Sequence, residues 1–533
     1  MLNTLSLRQK IGQLMVCGFQ GDSSSDITDI ETLIKDYHVG GIILFGRNIG
    51  SPIETLELTT TLQRLAKESN QQEPLLISID QENGMVRRLG EGTTSFPGSM
   101  LLAATRDENL TYEIGRATAR ELKALGINWN LAPVVDINNN PDNPVIGVRS
   151  FGETAEAVSL FSKASMKGMQ TEGVITTLKH FPGHGDTHVD SHLALPVITH
   201  SVKALENLEL IPFKDCIESE ADTVMTAHVY FPALEPEENR PATMSYKVIT
   251  ELLRNKLGFK GVVTTDCLEM KAISDSPGTA LGAVEAIKAG VDLIMISHVS
   301  SLQIEAIEAI VAAVENGDIS EQRIDESYHR VHILKNKYLS WNDIPLNSEE
   351  IKVSDVVGNK QHHQLAENAL KKGITIVKNN GNVIPIKEGN KVVVIYPTAS
   401  YLTLVEEEGY SKNELGMIVR DMDPHATIIP ISNDPSMVEI DQLIGKVTEF
   451  DTILVGTLSA RTSDGQTALL HQLMKTGKSL IVLAMRNPYD LAIAHDAQAF
   501  ITTYEFTANA LNMAVKAIYG KEIVSGTLPI TIS

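Results

Sequence analysis

Seven short, continuous apolar runs, each separated from the next by enough chain for a helix, constrain this sequence more than any other feature. They are Val39–Phe45, Leu75–Asp80, Ile127–Val135, Val174–Leu178, Val224–Val229, Val262–Thr265 and Leu293–Ile296. Unbroken runs of this length suit parallel strands buried on both faces. Candidate helices fill several intervals, such as Thr111–Leu125 and Leu281–Ala289, each followed by a glycine stop at Gly126 and Gly290. Seven strands with crossovers predict an α/β chain that opens with a (β/α)8 TIM-type barrel, its eighth strand weak, distorted or missing. Gly173-Val-Ile-Thr-Thr177 and Gly261-Val-Val-Thr-Thr265 are almost the same word. Shared strand propensity explains the likeness as well as repeated units do.

The pattern then changes. A last amphipathic helix runs from Ser320, a plausible N-cap, to Tyr338, with Ile324, Tyr328, Val331 and Leu334 on one face. Residues 340–359 are polar and irregular and read as a linker. A second αβ pattern starts with the helix His362–Leu370 and continues through strand-like runs at Ile374–Val377, Val392–Tyr396, Thr427–Ile431, Thr452–Val455, Leu480–Ala484 and Phe500–Thr503. The expected organisation is a catalytic barrel over 1–339, a linker over 340–359 and a smaller three-layer α/β sandwich over 360–533. The second unit has neither G-x-G-x-x-G nor a Walker loop, which speaks against nucleotide binding.

Composition narrows the function classes. With 43% hydrophobic residues the chain can bury full cores, which excludes disorder and collagen-like structure. A formal charge of −22 repels a phosphate backbone, so no nucleic-acid partner is expected. Cys17, Cys216 and Cys267 have no metal-ligand spacing and form no disulfide framework, which fits a reducing compartment. The first nineteen residues lack a basic n-region, a continuous apolar core and a small-residue cleavage site, and Ile11, Leu14 and Met15 look like one face of a short helix. No stretch approaches the roughly 20 apolar residues of a membrane span, so a cytoplasmic protein is expected.

Chemistry concentrates in one loop. Lys179-His-Phe-Pro-Gly-His-Gly-Asp-Thr-His-Val-Asp-Ser-His192 carries four of the chain's 15 histidines: His180, His184, His188 and His192. Their spacing of four invites a metal reading, because i,i+4 histidines on a helix can share an ion. Pro182, Gly183 and Gly185 argue against the helix this would need. A solvated polar turn and a metal-free catalytic loop are the other readings, and neither metal nor cofactor is expected. Asp266 directly ends the run Val262–Thr265, where it could serve chemistry or cap the next helix. Asp80 likewise ends Leu75–Ile79, with Glu82, Arg87 and Arg88 close behind. Two strand-end acids and a histidine-rich loop suggest a pocket for a polyhydroxylated ligand.

These words resemble those of family 3 glycoside hydrolases, in the β-N-acetylglucosaminidase (NagZ) branch and its two-domain Gram-positive form. The matching text is Ile79-Asp-Gln-Glu82, Lys179-His-Phe-Pro-Gly-His-Gly185 with Asp190-Ser-His192, and Val263-Thr-Thr-Asp266, supported by Ala369–Val377, Arg486-Asn-Pro-Tyr489 and Gly526-Thr-Leu-Pro529. The resemblance implies Asp266 as nucleophile, His192 as general acid/base and Asp190 as the partner that holds its imidazole. It further implies that Asp80, Arg88, Arg149, Lys179 and His180 bind the hydroxyls and N-acetyl group of a terminal sugar, with His184 beside them. One departure is Asn83, where similar sequences carry glycine; a side chain there could tighten the approach beside Glu82.

The chemistry is consistent with those roles. Retaining glycoside cleavage needs a carboxylate to trap an oxocarbenium-like centre and a separate proton donor for the leaving oxygen. An imidazole with an unperturbed pKa of about 6.5 can give and then take that proton near neutral pH. The glycine-rich loop is expected to move, closing over the leaving sugar. The expected activity is exo-acting release of terminal GlcNAc from muropeptides or GlcNAc–MurNAc in cell-wall recycling, with a small carbohydrate as partner. A neutral imidazole would not repel inorganic phosphate, so a β-N-acetylglucosaminide phosphorylase stays open. A metal-dependent hydrolase and a non-catalytic wall-binding protein are the rivals from other classes.

Overall fold

A computed structural model describes residues 5–22, 27–346, 351–398, 403, 405–406 and 414–532. Eight parallel strands form the first sheet: β1 Met15–Cys17, β2 Gly41–Leu44, β3 Leu76–Ile79, β4 Trp129–Asn130, β5 Ile175–Phe181, β6 Thr223–Thr226, β7 Val262–Thr265 and β8 Ile294–Ile296. They are ordered β7-β6-β5-β4-β3-β2-β1-β8. A bridge between Thr264 and Leu293, with Thr265 N–H donating to Leu293 O at 3.0 Å, brings the two ends together. The expected (β/α)8-type barrel is therefore present, and the eighth strand exists. It is β1, which pairs Met15 with Ile294 and Val16 with Gly41.

That strand was hidden in a segment read as one short helix. The helix covers only Leu7–Gln13, starting from a Ser6 capping box, and Leu14 turns the chain into β1. A three-residue strand abutting a helix has too few positions for its period to show. The run Ile127–Val135 is also shortened, since only Trp129–Asn130 is strand before Pro133 interrupts the ladder. The glycine stops behave as expected: Gly126 and Gly290 sit at φ +75° and +115° after the helices Glu108–Ala124 and Thr279–Ala289. The helix Glu321–Tyr338 starts at Ser320, whose side chain accepts from Arg323 N–H.

Part of the expected linker, 347–350, lies outside the described residues. Its beginning is packed, because Trp341 donates its indole N–H to Gln72 O at 3.0 Å and lies under the Lys67 ammonium. The second sheet comprises β9 Thr375–Asn379, β10 Val392–Pro397, β11 Thr427–Ile431, β12 Thr452–Thr457, β13 Ser479–Ala484 and β14 Ala499–Thr502. Its order is β11-β10-β12-β13-β14-β9, with β9 alone antiparallel. Ile440, Leu443, Leu469 and Leu470 cover one face. On the other, Leu415, Val419, Leu511 and Val515 pack together with Met100, Leu101 and Val148 of the barrel unit. Burial on both faces is why the inner strands β10, β12, β13 and β14 read as unbroken apolar runs. Among the described residues no helix is long and apolar enough to cross a membrane.

Candidate active site

The C-terminal ends of the barrel strands open into a cavity of about 870 Å³, within the range of small-molecule sites. Asp80, Arg88, Arg149, Lys179, His180, His184, His192 and Asp266 all line it. Asp190 stands behind His192, its Oδ1 2.7 Å from the ring Nδ1 and 2.9 Å from the backbone N–H of the same histidine. Of the residues to which the resemblance gives a role, all but Asp190 thus line the cavity, and Asp190 is one contact away.

Asp266 follows β7 and accepts Cys267 N–H at 2.7 Å. Burial alone would push its carboxyl up; the imidazoles of His228, His180 and His192 and the Cys267 N–H outweigh this and hold it below the usual carboxylate range. It is therefore ionised at neutral pH. Asp190 is also held low, its burial outweighed by the bond to His192. Cys267 is buried beside Asp266, and burial pushes its thiol up to about 12, so it is an unreactive filler rather than a nucleophile.

Across the cavity, cations and acids interlock. Lys179 Nζ lies 2.6 Å from Asp80 Oδ1 and 2.7 Å from Glu82 Oε1. Arg149 grips Glu82 with two parallel bonds, Nε–Oε2 at 2.9 Å and Nη2–Oε1 at 2.7 Å. Glu82, Lys179 and Arg149 are all buried. Burial opposes the Glu82 charge, but the two cations hold its carboxyl far below the normal range. Glu82 is thus the hub that fixes Lys179 and Arg149, a larger part than its place in the sequence motif suggests. Asn83 does not crowd it. At φ +72°, in the left-handed region, its side chain turns away to donate to Thr118 Oγ1 at 3.0 Å.

The four loop histidines do not converge. His180 Nδ1 meets Asp136 Oδ2 at 2.7 Å, His192 meets Asp190, His184 lies between the hydroxyls of Thr187 (3.0 Å) and Ser191 (3.1 Å), and exposed His188 contacts Asn140 (3.2 Å). Among the described residues the group of potential metal ligands drawn together is Cys267, Glu269 and His298 instead. There Glu269 already accepts the N–H groups of Ser297, His298 and Val299. With both ring nitrogens engaged, His184 supports the loop, and burial lowers its pKa to about 4.

The loop's glycines serve packing. A Cβ on Gly185 would sit 1.6 Å from Ile137 O, so the chain passes there only as glycine. Asn143 ties His184 O and Gly185 O at 3.0 and 2.8 Å, and Asn140 ties Thr187 O at 3.1 Å. Residues 180–187 are therefore pinned. The exposed part of the loop is farther along, at His188, Val189 and Leu193.

Three contributors escaped the sequence reading. Asp136 is fully buried, and besides the His180 ring it accepts the backbone N–H groups of His180 (3.2 Å) and His184 (2.7 Å). Its signal was present, an acid directly after the apolar run Ile127–Val135, as at Asp80 and Asp266. His228 props the segment after β7 through Nε2 to Cys267 O at 3.0 Å, with Nδ1 on Thr243 Oγ1 at 2.7 Å. Val405, from the second unit, also lines the cavity and accepts from Arg88 Nη2 at 2.8 Å. No local signal announces that contact.

A parallel barrel that gathers acids, imidazoles and paired cations at its C-terminal strand ends is the scaffold of an enzyme. The model of the glycosyl hydrolase family 3 N-terminal domain matches residues 6–334, and the chain belongs to glycoside hydrolase family 3. It is similar to beta-hexosaminidase A of Pseudoalteromonas piscicida, at 32% identity over 594 residues covering 99% of this chain and 97% of that protein. It superposes on the family 3 beta-N-acetylglucosaminidase of Paenibacillus sp. str. FPU-7 with a TM-score of 0.91 and 41% identity, over 99% of both chains. The beta-glucoside phosphorylase BglX shares the fold, at TM-score 0.82 and 23% identity over 99% of this chain and 94% of that one.

Proposed function

We propose that this glycoside hydrolase is an exo-acting, retaining β-N-acetylglucosaminidase. The observation that carries the reading is that Asp266 and the Asp190-held ring of His192 line one cavity. An ionised Asp266 attacks the anomeric carbon and forms a glycosyl-enzyme ester while the glycosidic bond breaks. His192 gives a proton to the leaving oxygen, then takes one from the incoming water. Asp190 accepts from Nδ1, fixes the tautomer and stabilises the imidazolium, which leaves Nε2 for the proton transfer. Asp80, Arg88, Arg149, Lys179 and His180 hold the hydroxyls and N-acetyl group of the terminal sugar. The hexosaminidase and N-acetylglucosaminidase relatives support GlcNAc as that sugar.

The natural substrate in this reading is a muropeptide or GlcNAc–MurNAc, handled in the cytoplasm during cell-wall recycling. The division into a catalytic barrel over 1–339, a linker over 340–359 and a C-terminal sandwich over 360–533 belongs to the same proposal. Product analysis on GlcNAc–MurNAc, with and without inorganic phosphate, tests it. Free GlcNAc under both conditions is expected. GlcNAc-1-phosphate formed only with phosphate would make the protein a phosphorylase, and activity lost to a chelator would make it a metal-dependent hydrolase.

A further inference from the structure

The second unit reaches the cavity through two contacts joined by one peptide link. Arg486 directly follows Met485 at the end of β13, in the word Arg486-Asn-Pro-Tyr489 to which the catalytic reading gives no task. Its guanidinium donates to Glu406 Oε1 through Nη2 at 2.7 Å and Nε at 3.1 Å. The next residue back, Val405, accepts from Arg88 Nη2 at 2.8 Å, and Val405 and Arg88 both line the cavity. We propose that Arg486 and Glu406 are positioning residues: through Val405 they fix the guanidinium of Arg88 against the terminal sugar, making the second unit part of the substrate site. This inference rests on the reading that Arg88 binds that sugar.

Burial is the reason to assign the ion pair a positioning task. The side chains of Arg486 and Glu406 are 7% and 1% exposed. An ion pair so far from water recovers little more than its desolvation cost, and an apolar pair would serve stability as well. What the pair gives is direction, since a guanidinium holding a carboxylate with two N–H groups fixes the backbone next to it. Arg88 itself has a long side chain with much rotamer freedom to lose. An anchored carbonyl at its tip keeps the guanidinium in one orientation before substrate arrives, so less ordering is left to binding. Neighbouring contacts keep the strand ends of the second sheet against the same rim. Tyr489 Oη lies 3.1 Å from Asn138 Nδ2, and Arg461 Nε lies 2.7 Å from Asp142.

The test is steady-state kinetics of the full chain on an aryl N-acetyl-β-glucosaminide, with melting temperature recorded for each variant. Arg486→Ala is expected to raise KM on the order of tenfold while kcat stays within about twofold, the signature of lost uniform binding. Added to Arg88→Ala, it should change nothing further, because its effect passes through Arg88. Arg486→Lys should restore part of the loss, since an ammonium can hold Glu406 but with a single contact. If Arg486→Ala does not fold, Glu406→Gln carries the same expectation. An unchanged KM in a folded Arg486→Ala protein, or effects of Arg486→Ala and Arg88→Ala that multiply in the double variant, would overturn the inference alone. An unchanged KM in Arg88→Ala would instead remove Arg88 from sugar binding, and the inference with it.

Discussion

Asp136 and His180 meet at 2.7 Å, carboxylate to ring Nδ1, both buried, one in the segment that follows β4 and the other near the end of β5. The bond leaves Nε2 as the ring atom free to face the cavity that His180 lines. It repeats the arrangement of Asp190 with His192. Burial opposes the Asp136 charge, but the rings of His180 and His184 and the His180 backbone N–H hold its carboxyl below the normal range. Asp136→Asn keeps the volume but turns an NH₂ toward N–H donors, leaving buried donors unmatched. We expect turnover to fall about 10- to 100-fold from the misplaced ring, with a stability loss of about 1–3 kcal/mol. Wild-type kcat/KM and melting temperature in this variant would show that the pair has no such task.

Asp136 also shows what the sequence made legible. An unbroken apolar run that ends in an acid is readable, because a buried strand excludes charge until its mouth; Asp80 and Asp266 were found that way. Asp136 obeys the same rule, yet Pro133 breaks its run and blurs where the strand ends. Met15 looks like part of a helix face in the sequence because the three-residue strand it opens, Met15–Cys17, cannot display a period of two. Arg149 came only from the family resemblance, since nothing local marks an arginine 67 positions from the glutamate it grips. The bond from Arg88 to Val405 spans 317 positions and depends wholly on how two folded units meet.

The assignment of Asp266 predicts where a covalent label lands. A 5-fluoro N-acetylglucosaminyl donor should trap the wild-type enzyme on the peptide containing Asp266. Asp266→Ala should lose nearly all turnover, at least the 10²- to 10⁴-fold associated with an acid/base group, and should take no label. Mass spectrometry of the digested protein decides it. A label on another carboxylate rejects the assignment.

His192 should reveal its role through the leaving group. A glycoside with a poor leaving group needs a proton on the departing oxygen, whereas a nitrophenolate leaves without one. His192→Ala is therefore expected to slow GlcNAc–MurNAc cleavage by about 10²- to 10⁴-fold, and to slow the first step on nitrophenyl glycosides far less. Asp190→Asn should reproduce the pattern more weakly, because the ring stays but its tautomer and imidazolium lose their support. Equal losses on both substrate classes would count against the acid role.

The final prediction concerns stability and pH through His184. Buried, and bonded through both nitrogens to hydroxyls, its pKa falls to about 4, against about 6.5 in an unfolded chain. Between those values the unfolded chain takes up a proton that the folded protein refuses, so unfolding becomes easier as pH falls. The contribution is complete above pH 6.5, declines on acidification and is fully lost once pH drops through about 4. Its size is on the order of 3 kcal/mol. His184→Gln keeps bonds available to Thr187 and Ser191 but cannot titrate. The melting temperature of wild type should therefore drop more steeply than that of the variant from pH 6.5 to 4. His228, also buried with a lowered pKa, leaves the variant a residual slope. Identical slopes in the two proteins would mean that His184 is protonated in the folded loop, and that Thr187 and Ser191 accept from an imidazolium.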